Sequence, residues 1–297
     1  MRLAILVPVF RRRPMTVADR LREATRFLEG AGSPSARLDA EVLLAHLLGV
    51  RRVDLYLVPE RSLSPEQEES YRALLERRAL GEPVSYLVGR KEFYGLTFVV
   101  DRRVLIPRPE TEELVDRALR CARTLGRPDL LLADIGTGCG CIAVALAVHL
   151  PQAHVYATDL SPEAIEVAWE NVRRHRVQER VTLLLGDLCQ PLPAPVDLLV
   201  SNPPYTIWER LPWGITGFEP RIALDGGKDG LEVLRRLIDQ IAWAVRPGGF
   251  ALLEFGDGQE EAVRRVARSA FPGVPMVVGR DLAGLPRVLQ LGPLPAR

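Results

Sequence analysis

Lysine is nearly missing from this chain: of its 39 basic residues, only Lys91 and Lys228 are not arginine. A large net charge is missing as well, since the formal balance is +1 over 297 residues. That balance excludes a surface built mainly to hold nucleic acid non-specifically, though local basic patches remain compatible with it. Cysteine is scarce: Cys121, Cys139, Cys141 and Cys189 are all there are. Cys139 and Cys141 share a glycine-rich turn with no second Cys or His pair at metal spacing, so no metal is expected. A disulfide framework suits small secreted chains, and reduced thiols in the cytoplasm are the expectation here. No apolar run is long enough to cross a bilayer. Leu3 to Phe10 is broken by Pro8, followed by Arg11-Arg12-Arg13, and lacks a cleavage site. Helix signals begin at Thr16, so residues 1–14 read as an extension outside the fold and Met15 as a candidate natural start.

What is present supports one large domain and a smaller one, with 47% hydrophobic residues to build their cores. From Thr16 to about Gly81 the pattern is helical. Thr16 with Asp19 forms a capped start, and Gly30 and Gly32 close that helix. A second helix from about Ser35 to Leu48 places Leu38, Val42, Ala45 and Leu48, with Leu44 and Leu47, at helical spacing before Gly49. Ser64-Pro65-Glu66-Gln67 opens a third, carrying Tyr71, Leu74 and Leu75. These segments make a helical bundle over residues 15–82. Val84 to Val88 and Phe93 to Val100 are rich in β-branched and aromatic residues, which predicts a β-hairpin linker over 83–106. Ile106-Pro107-Arg108-Pro109-Glu110-Thr111 then leads stiffly into a helix reaching about Leu125.

From Leu130 onward strands and helices alternate, with strands near 130–135, 154–158, 181–185, 197–201 and 249–255 and a final pair near 274–278 and 287–291. Such alternation predicts an α/β, doubly wound, seven-stranded sheet, mostly parallel with an antiparallel last strand, over residues 107–297. Asn202-Pro203-Pro204-Tyr205 follows the apolar run Leu198-Leu199-Val200-Ser201, at a strand end where chemistry collects in open sheets. Two prolines hold φ near about −65° and lack N–H groups. The carbonyls of Asn202 and Pro203 and the Asn202 side-chain oxygen therefore offer a row of acceptors, and Tyr205 adds an aromatic face. That set suits a planar –NH2 group. A plain strand-to-loop turn is the alternative for the tetrapeptide alone.

Other strand ends carry matching signals. Asp134-Ile135-Gly136-Thr137-Gly138-Cys139-Gly140 closes the first strand and opens a helix, letting a ligand approach backbone N–H groups. Nicotinamide-binding folds use a similar turn, but Cys141 breaks the G-x-G-x-x-G spacing. Asp159 closes the second strand, placed for both hydroxyls of a ribose. Asp187, beside Leu188, follows the third, placed to read an adenine. Singly, each acid reads equally well as a helix cap or a surface residue. Together they point to S-adenosylmethionine.

With these residues in view, the chain resembles the HemK/PrmC family of release-factor glutamine methyltransferases. The likeness runs through Leu38-Asp39-Ala40-Glu41-Val42-Leu43-Leu44, the Pro-Arg-Pro-Glu-Thr segment, the glycine turn and the tetrapeptide. It continues through Phe218-Glu219-Pro220-Arg221 and Ala223-Leu224-Asp225-Gly226-Gly227, and ends with Asp281, Gly284 and Arg287. The loop Thr206 to Gly217 departs from the family in lacking acidic character. The resemblance implies methyl transfer to the side-chain amide of the glutamine in the Gly-Gly-Gln motif of class-I peptide-chain release factors, leaving S-adenosylhomocysteine. It implies cofactor contacts from Asp134, Gly136, Thr137, Gly138, Cys139, Gly140, Asp159, Leu160, Asp187, Leu188 and Asn202. It places the substrate against Asn202, Pro203, Pro204, Tyr205, Arg108, Glu110 and Thr111, with Asn202, Pro203 and Tyr205 as the catalytic set. The helical part would grip the release factor; a domain that merely stabilises the sheet is the alternative. A monomeric cytoplasmic enzyme, with no nucleic-acid substrate and no membrane partner, is expected.

No His or Cys stands near the tetrapeptide to act as a base, so positioning is the expected source of catalysis. Three rivals stay open: an adenine-N6 nucleic-acid methyltransferase, a glutamine methyltransferase acting on a ribosomal protein, and a release-factor-binding protein without turnover.

Overall fold

Thr16 starts the first helix for the reason its sequence gives: its hydroxyl accepts from the Asp19 N–H while the Asp19 carboxylate accepts from the Thr16 N–H. The computed structural model describes residues 15–296; the expected 1–14 extension and the question of a Met15 start lie outside the described residues, apart from Met15 itself. Contacts divide the chain into two units, one ending at Val88 and one beginning at Gly89.

The first unit holds α1 (Val17–Gly30), α2 (Ala36–Leu48), α3 (Pro65–Ala79) and α4 (Val84–Val88). Ser64 and Gln67 form the second reciprocal cap, with Pro65 in the first turn of α3. Two expectations fail here. Val84–Val88 is helical, because Pro83 pre-sets a helical φ and its carbonyl accepts from the N–H groups of Tyr86 and Leu87. Burial of Tyr86 and Leu87 then overrides their strand propensity. Leu38 is 44% exposed, and α2 instead buries Asp39 and Glu41. Each finds an arginine: Arg78 Nε donates to Asp39 at 2.8 Å and Arg37 Nε to Glu41 at 3.0 Å.

The second unit begins with a hairpin, β1 (Arg90–Phe93) and β2 (Leu96–Val99), shorter than the sequence suggests. Its two-residue turn needs positive φ twice, at Tyr94 (51°) and Gly95 (72°). Then follow α5 (Glu112–Leu125), β3 (Leu131–Ile135), α6 (Cys141–His149), β4 (His154–Asp159), α7 (Pro162–Arg174), β5 (Val181–Leu185) and β6 (Val196–Ser201). The chain continues through α8 (Trp213–Thr216), α9 (Glu232–Ala244), β7 (Val245–Glu254), α10 (Glu260–Ala270), β8 (Met276–Arg280) and β9 (Pro286–Leu291).

Seven strands form one sheet in the order β5-β4-β3-β6-β7-β9-β8. The first five are parallel, and β9 runs antiparallel to both its neighbours. On one face Ala133, Ile135, Leu199 and Leu253 pack with Leu234, Leu237 and Ile241 of α9 and Val263 of α10. Period-two alternation sends Leu132, Leu198, Val200 and Leu252, all fully buried, to the other face, where α5 and α6 pack. Strand order reverses between β3 and β6, so the carboxyl ends of β3, β4 and β6 open onto one crevice. At the opposite end of β6, buried Asp197 accepts from the Leu131 N–H and pairs with Arg127 and Arg246, which closes that side structurally.

Candidate active site

The turn after β3 is bent by three glycines with left-handed backbone, Gly136 (φ 74°), Gly138 (56°) and Gly140 (82°). Gly140 also sits against α7: a Cβ there would lie 3.3 Å from the Ala168 Cβ. The N–H groups of Gly136 and Thr137 both donate to the Thr158 carbonyl at 2.9 Å, stitching the turn to β4.

Asp134 is fully buried beneath this turn. Its Oδ2 accepts from the Thr137 hydroxyl at 2.7 Å and the Ala143 N–H at 3.1 Å, while Oδ1 has no hydrogen-bond partner among the described residues. Burial pushes its carboxyl up to about 7, against those two hydrogen bonds and with a further push from Asp159. Asp159 accepts from the Gly138 N–H at 2.8 Å and the Ser161 N–H at 2.9 Å. Burial raises its pKa as well. Each of its oxygens keeps a lone pair for a hydroxyl donor.

A crevice of about 550 Å³ gathers these groups: Gly136, Gly138, Asp159, Leu160, Asp187, Leu188, Asn202 and Pro204 all line it. Asp187 lies beyond the end of β5 and is paired with Arg236, also on the wall. Leu160 is 54% exposed at its mouth. Asp134, Thr137, Cys139 and Gly140 lie behind the lining as the turn's support, buried and not on the wall.

The tetrapeptide begins one residue past β6. Asn202 donates from Nδ2 to the Thr111 hydroxyl at 3.1 Å, and among the described residues no donor meets its Oδ1. Pro203 is buried and Pro204 half-buried. The Tyr205 hydroxyl donates to Glu254 Oε1 at 3.2 Å, and its carbonyl accepts from Gln259 Nε2 at 2.9 Å. Burial raises the Tyr205 pKa, so the phenol stays protonated. The Asp225-Gly226-Gly227 loop backs this corner: the Thr206 N–H donates to the Leu224 carbonyl, and the Gly226 N–H to the Thr206 carbonyl. A Cβ on Gly226 would fall 2.8 Å from the Pro204 carbonyl oxygen, and one on Gly230 2.4 Å from that of Tyr205.

The Pro-Arg-Pro-Glu-Thr segment divides in role. Arg108 is committed to buried Glu219, which also accepts from the Ile106 N–H at 3.2 Å. Thr111 is buried under Asn202, and Glu110 lies half-exposed in a separate hollow with Asp281. Arg287 donates to Asp281 at 2.8 Å, clipping the loop between β8 and β9, where Gly284 supplies a φ of 79°. The residue missed by sequence reasoning is Glu254. It ends β7 after Leu252-Leu253, the same signal of an acid closing an apolar strand that marks Asp134 and Asp159. The four cysteines are free and buried, and among the described residues no helix is long and apolar enough to cross a membrane.

The chain has relatives among known proteins. Residues 19–89 match the family model of the PrmC N-terminal domain, and residues 122–211 that of the methyltransferase small domain. The release factor glutamine methyltransferase of Moorella thermoacetica is 44% identical over 259 residues, covering 86% of this chain and 90% of that protein. The protein of the same name from Rhodopirellula baltica is 39% identical, covering 94% and 96%. Among solved structures, the hMettl16 catalytic domain, crystallised with a MAT2A 3'UTR hairpin, aligns with a TM-score of 0.53 at 18% identity, covering 74% of this chain and 81% of that one. That likeness is one of fold.

Proposed function

The chain belongs to the release factor glutamine methyltransferase family, and from that premise we propose that it methylates the side-chain amide nitrogen of the Gly-Gly-Gln glutamine in class-I peptide-chain release factors. One observation carries the reading: Asn202 and Pro204 line the same crevice as Gly136, Gly138 and Asp159. A methyl donor and an –NH2 acceptor can therefore meet there.

The residues fit S-adenosylmethionine. Gly136 and Gly138 open the turn to a ligand, Asp159 keeps free lone pairs for ribose hydroxyls, and the buried Asp134 Oδ1 lacks a donor. Leu160 and Leu188 supply apolar wall, and Asp187 the polar edge. Bound there, the cofactor supplies a methyl group activated on a sulfonium. The chain's own part is to hold the nucleophile. An amide nitrogen is weakly nucleophilic, and immobilising its two N–H groups on Asn202 Oδ1 and the Pro203 carbonyl, with Tyr205 packed on its plane, orients the lone pair. Such orientation lowers barriers by as much as about 7–11 kcal/mol.

Mass spectrometry of purified release factor after incubation with the full chain and labelled cofactor tests this. A single added methyl on the Gly-Gly-Gln glutamine is expected. Label entering stripped nucleic acid or a ribosomal protein, with none in the release factor, would overturn it in favour of those substrates. Asn202→Ala is expected to lower turnover about a hundredfold or more while cofactor affinity changes little. Equal losses in both would remove the nucleophile-holding role. We further propose that the first unit grips the release factor away from its glutamine, since a loop target offers little binding area of its own.

A further inference from the structure

Resting on the glutamine reading, we infer that the segment from Glu254, the last residue of β7, to Gln259, just before α10, is a clamp that sets Tyr205 for methyl transfer, with Gln259 as its positioning residue. The clamp meets Tyr205 at three points. Glu254 Oε1 accepts from the Tyr205 hydroxyl at 3.2 Å. Gly256 abuts the ring, since a Cβ there would fall 3.1 Å from Tyr205 Cδ2. Gln259 Nε2 donates to the Tyr205 carbonyl at 2.9 Å. One short stretch of chain therefore fixes the hydroxyl, the ring and the backbone of the residue read as packing on the substrate amide.

Hydrogen-bond polarity makes Gln259 specific. Its Nε2 also reaches the Gly230 carbonyl at 3.5 Å, and its Oε1 accepts from the Gly256 N–H at 2.8 Å. Two carbonyls can only accept and an N–H can only donate, so the position requires a donor at one end and an acceptor at the other. A carboxamide of this length supplies both. An ionised carboxylate would set an oxygen against the carbonyls, and an apolar side chain would leave all these backbone groups unmet. Gly230 and Gly256 are buried, where water is a poor substitute. Gly256 has no left-handed backbone, so the close approach of Tyr205 and Gln259, not its φ, favours glycine there.

The clamp also sorts the carbonyls of the tetrapeptide. That of Tyr205 is taken by Gln259, and that of Pro204 packs against Gly226, where a Cβ would lie 2.8 Å from its oxygen. Among the described residues no donor meets the Pro203 carbonyl. This is the oxygen that an incoming –NH2 group needs, and it stays available while its neighbours are engaged elsewhere. Releasing the Tyr205 carbonyl frees the far side of the corner to rotate, which moves the ring and the acceptor together.

The test uses the full chain, S-adenosylmethionine and purified release factor. Failure of the wild-type chain to methylate glutamine would sink the function itself; the clamp is read from variants of an active enzyme. Calorimetric stoichiometry of S-adenosylhomocysteine binding counts the folded fraction, so that kcat is taken per competent site. Gln259→Glu reverses the polarity and should lower kcat roughly 30-fold. Gln259→Met keeps the bulk without the polar atoms and should lose less, roughly tenfold. In both, KM for release factor and Kd for S-adenosylhomocysteine should stay within about threefold of wild type. Gly256→Ala presses on the ring and should lower kcat roughly tenfold with the same split, and it carries the test alone should the Gln259 variants not fold. Wild-type kcat in Gln259→Glu or, failing that variant, in Gly256→Ala, a Met variant slower than the Glu variant, or a loss confined to KM or cofactor affinity would each overturn the clamp.

Discussion

Buried acids behave oppositely in the two units of this protein. In the helical unit each is met by an arginine: Asp39 by Arg78, Glu41 by Arg37, and Glu82 by both guanidinium donors of Arg77 at 2.8 Å. Asp39 also accepts from the hydroxyls of Ser33 and Ser35. Within the sheet unit, Asp197 at the amino end of β6 and Glu219 beside Arg108 follow that pattern. At the carboxyl ends of β3 and β7 it breaks. Asp134 and Glu254 are fully buried, each has one oxygen without a hydrogen-bond partner among the described residues, and burial pushes both to about 7. Paired acids hold the fold together, whereas a buried acid without a charged partner marks a candidate for function.

The sharpest way to break this comparison is to remove a pairing arginine from the scaffold. Arg78→Ala strands the buried Asp39 carboxylate with only its serine donors, and should reduce stability by about 3 kcal/mol. Denaturant unfolding measures that, and calorimetry with S-adenosylhomocysteine on the same sample should find affinity unchanged. Asp159→Ala should give the reverse profile. Each charge-assisted hydrogen bond contributes roughly 1.5–3 kcal/mol, so cofactor affinity should fall at least about tenfold with little loss of stability. If the two variants instead lose the same property, the division between scaffold and site acids is wrong.

That division was only partly legible in the sequence. Local chemistry was readable: reciprocal caps at Thr16/Asp19 and Ser64/Gln67, the glycine turn, and Asn202-Pro203-Pro204-Tyr205 at a strand end are all fixed by residues within a few positions. Long-range pairing was not. Nothing near Arg108 in sequence announces Glu219, which lies 111 residues away, and nothing near Asn202 announces Thr111, which lies 91 residues away. Thr111 reads as a substrate contact but is buried as a support. Val84–Val88 fails for a related reason, since its β-branched residues favour a strand until Pro83 and a helical core decide otherwise. Glu254 was hidden in an apolar strand, although the rule that exposed Asp134 and Asp159 applies to it unchanged.

The smallest expected effect is the most discriminating in sign. Asp134→Asn keeps an oxygen for Thr137 and Ala143 while removing the ionisation. A carboxyl near 7 in the folded chain titrates near 4 when unfolded, so between those values the folded state holds a proton that the unfolded state has lost. Wild-type stability therefore falls as pH rises through that window and is level above it. The variant lacks this penalty. Its Tm should exceed the wild type's by about 2–4 °C at about pH 8, a gain of about 1 kcal/mol, with the difference shrinking toward about pH 5. A variant less stable than wild type at alkaline pH, or a gap that ignores pH, would mean that Asp134 belongs with the paired acids.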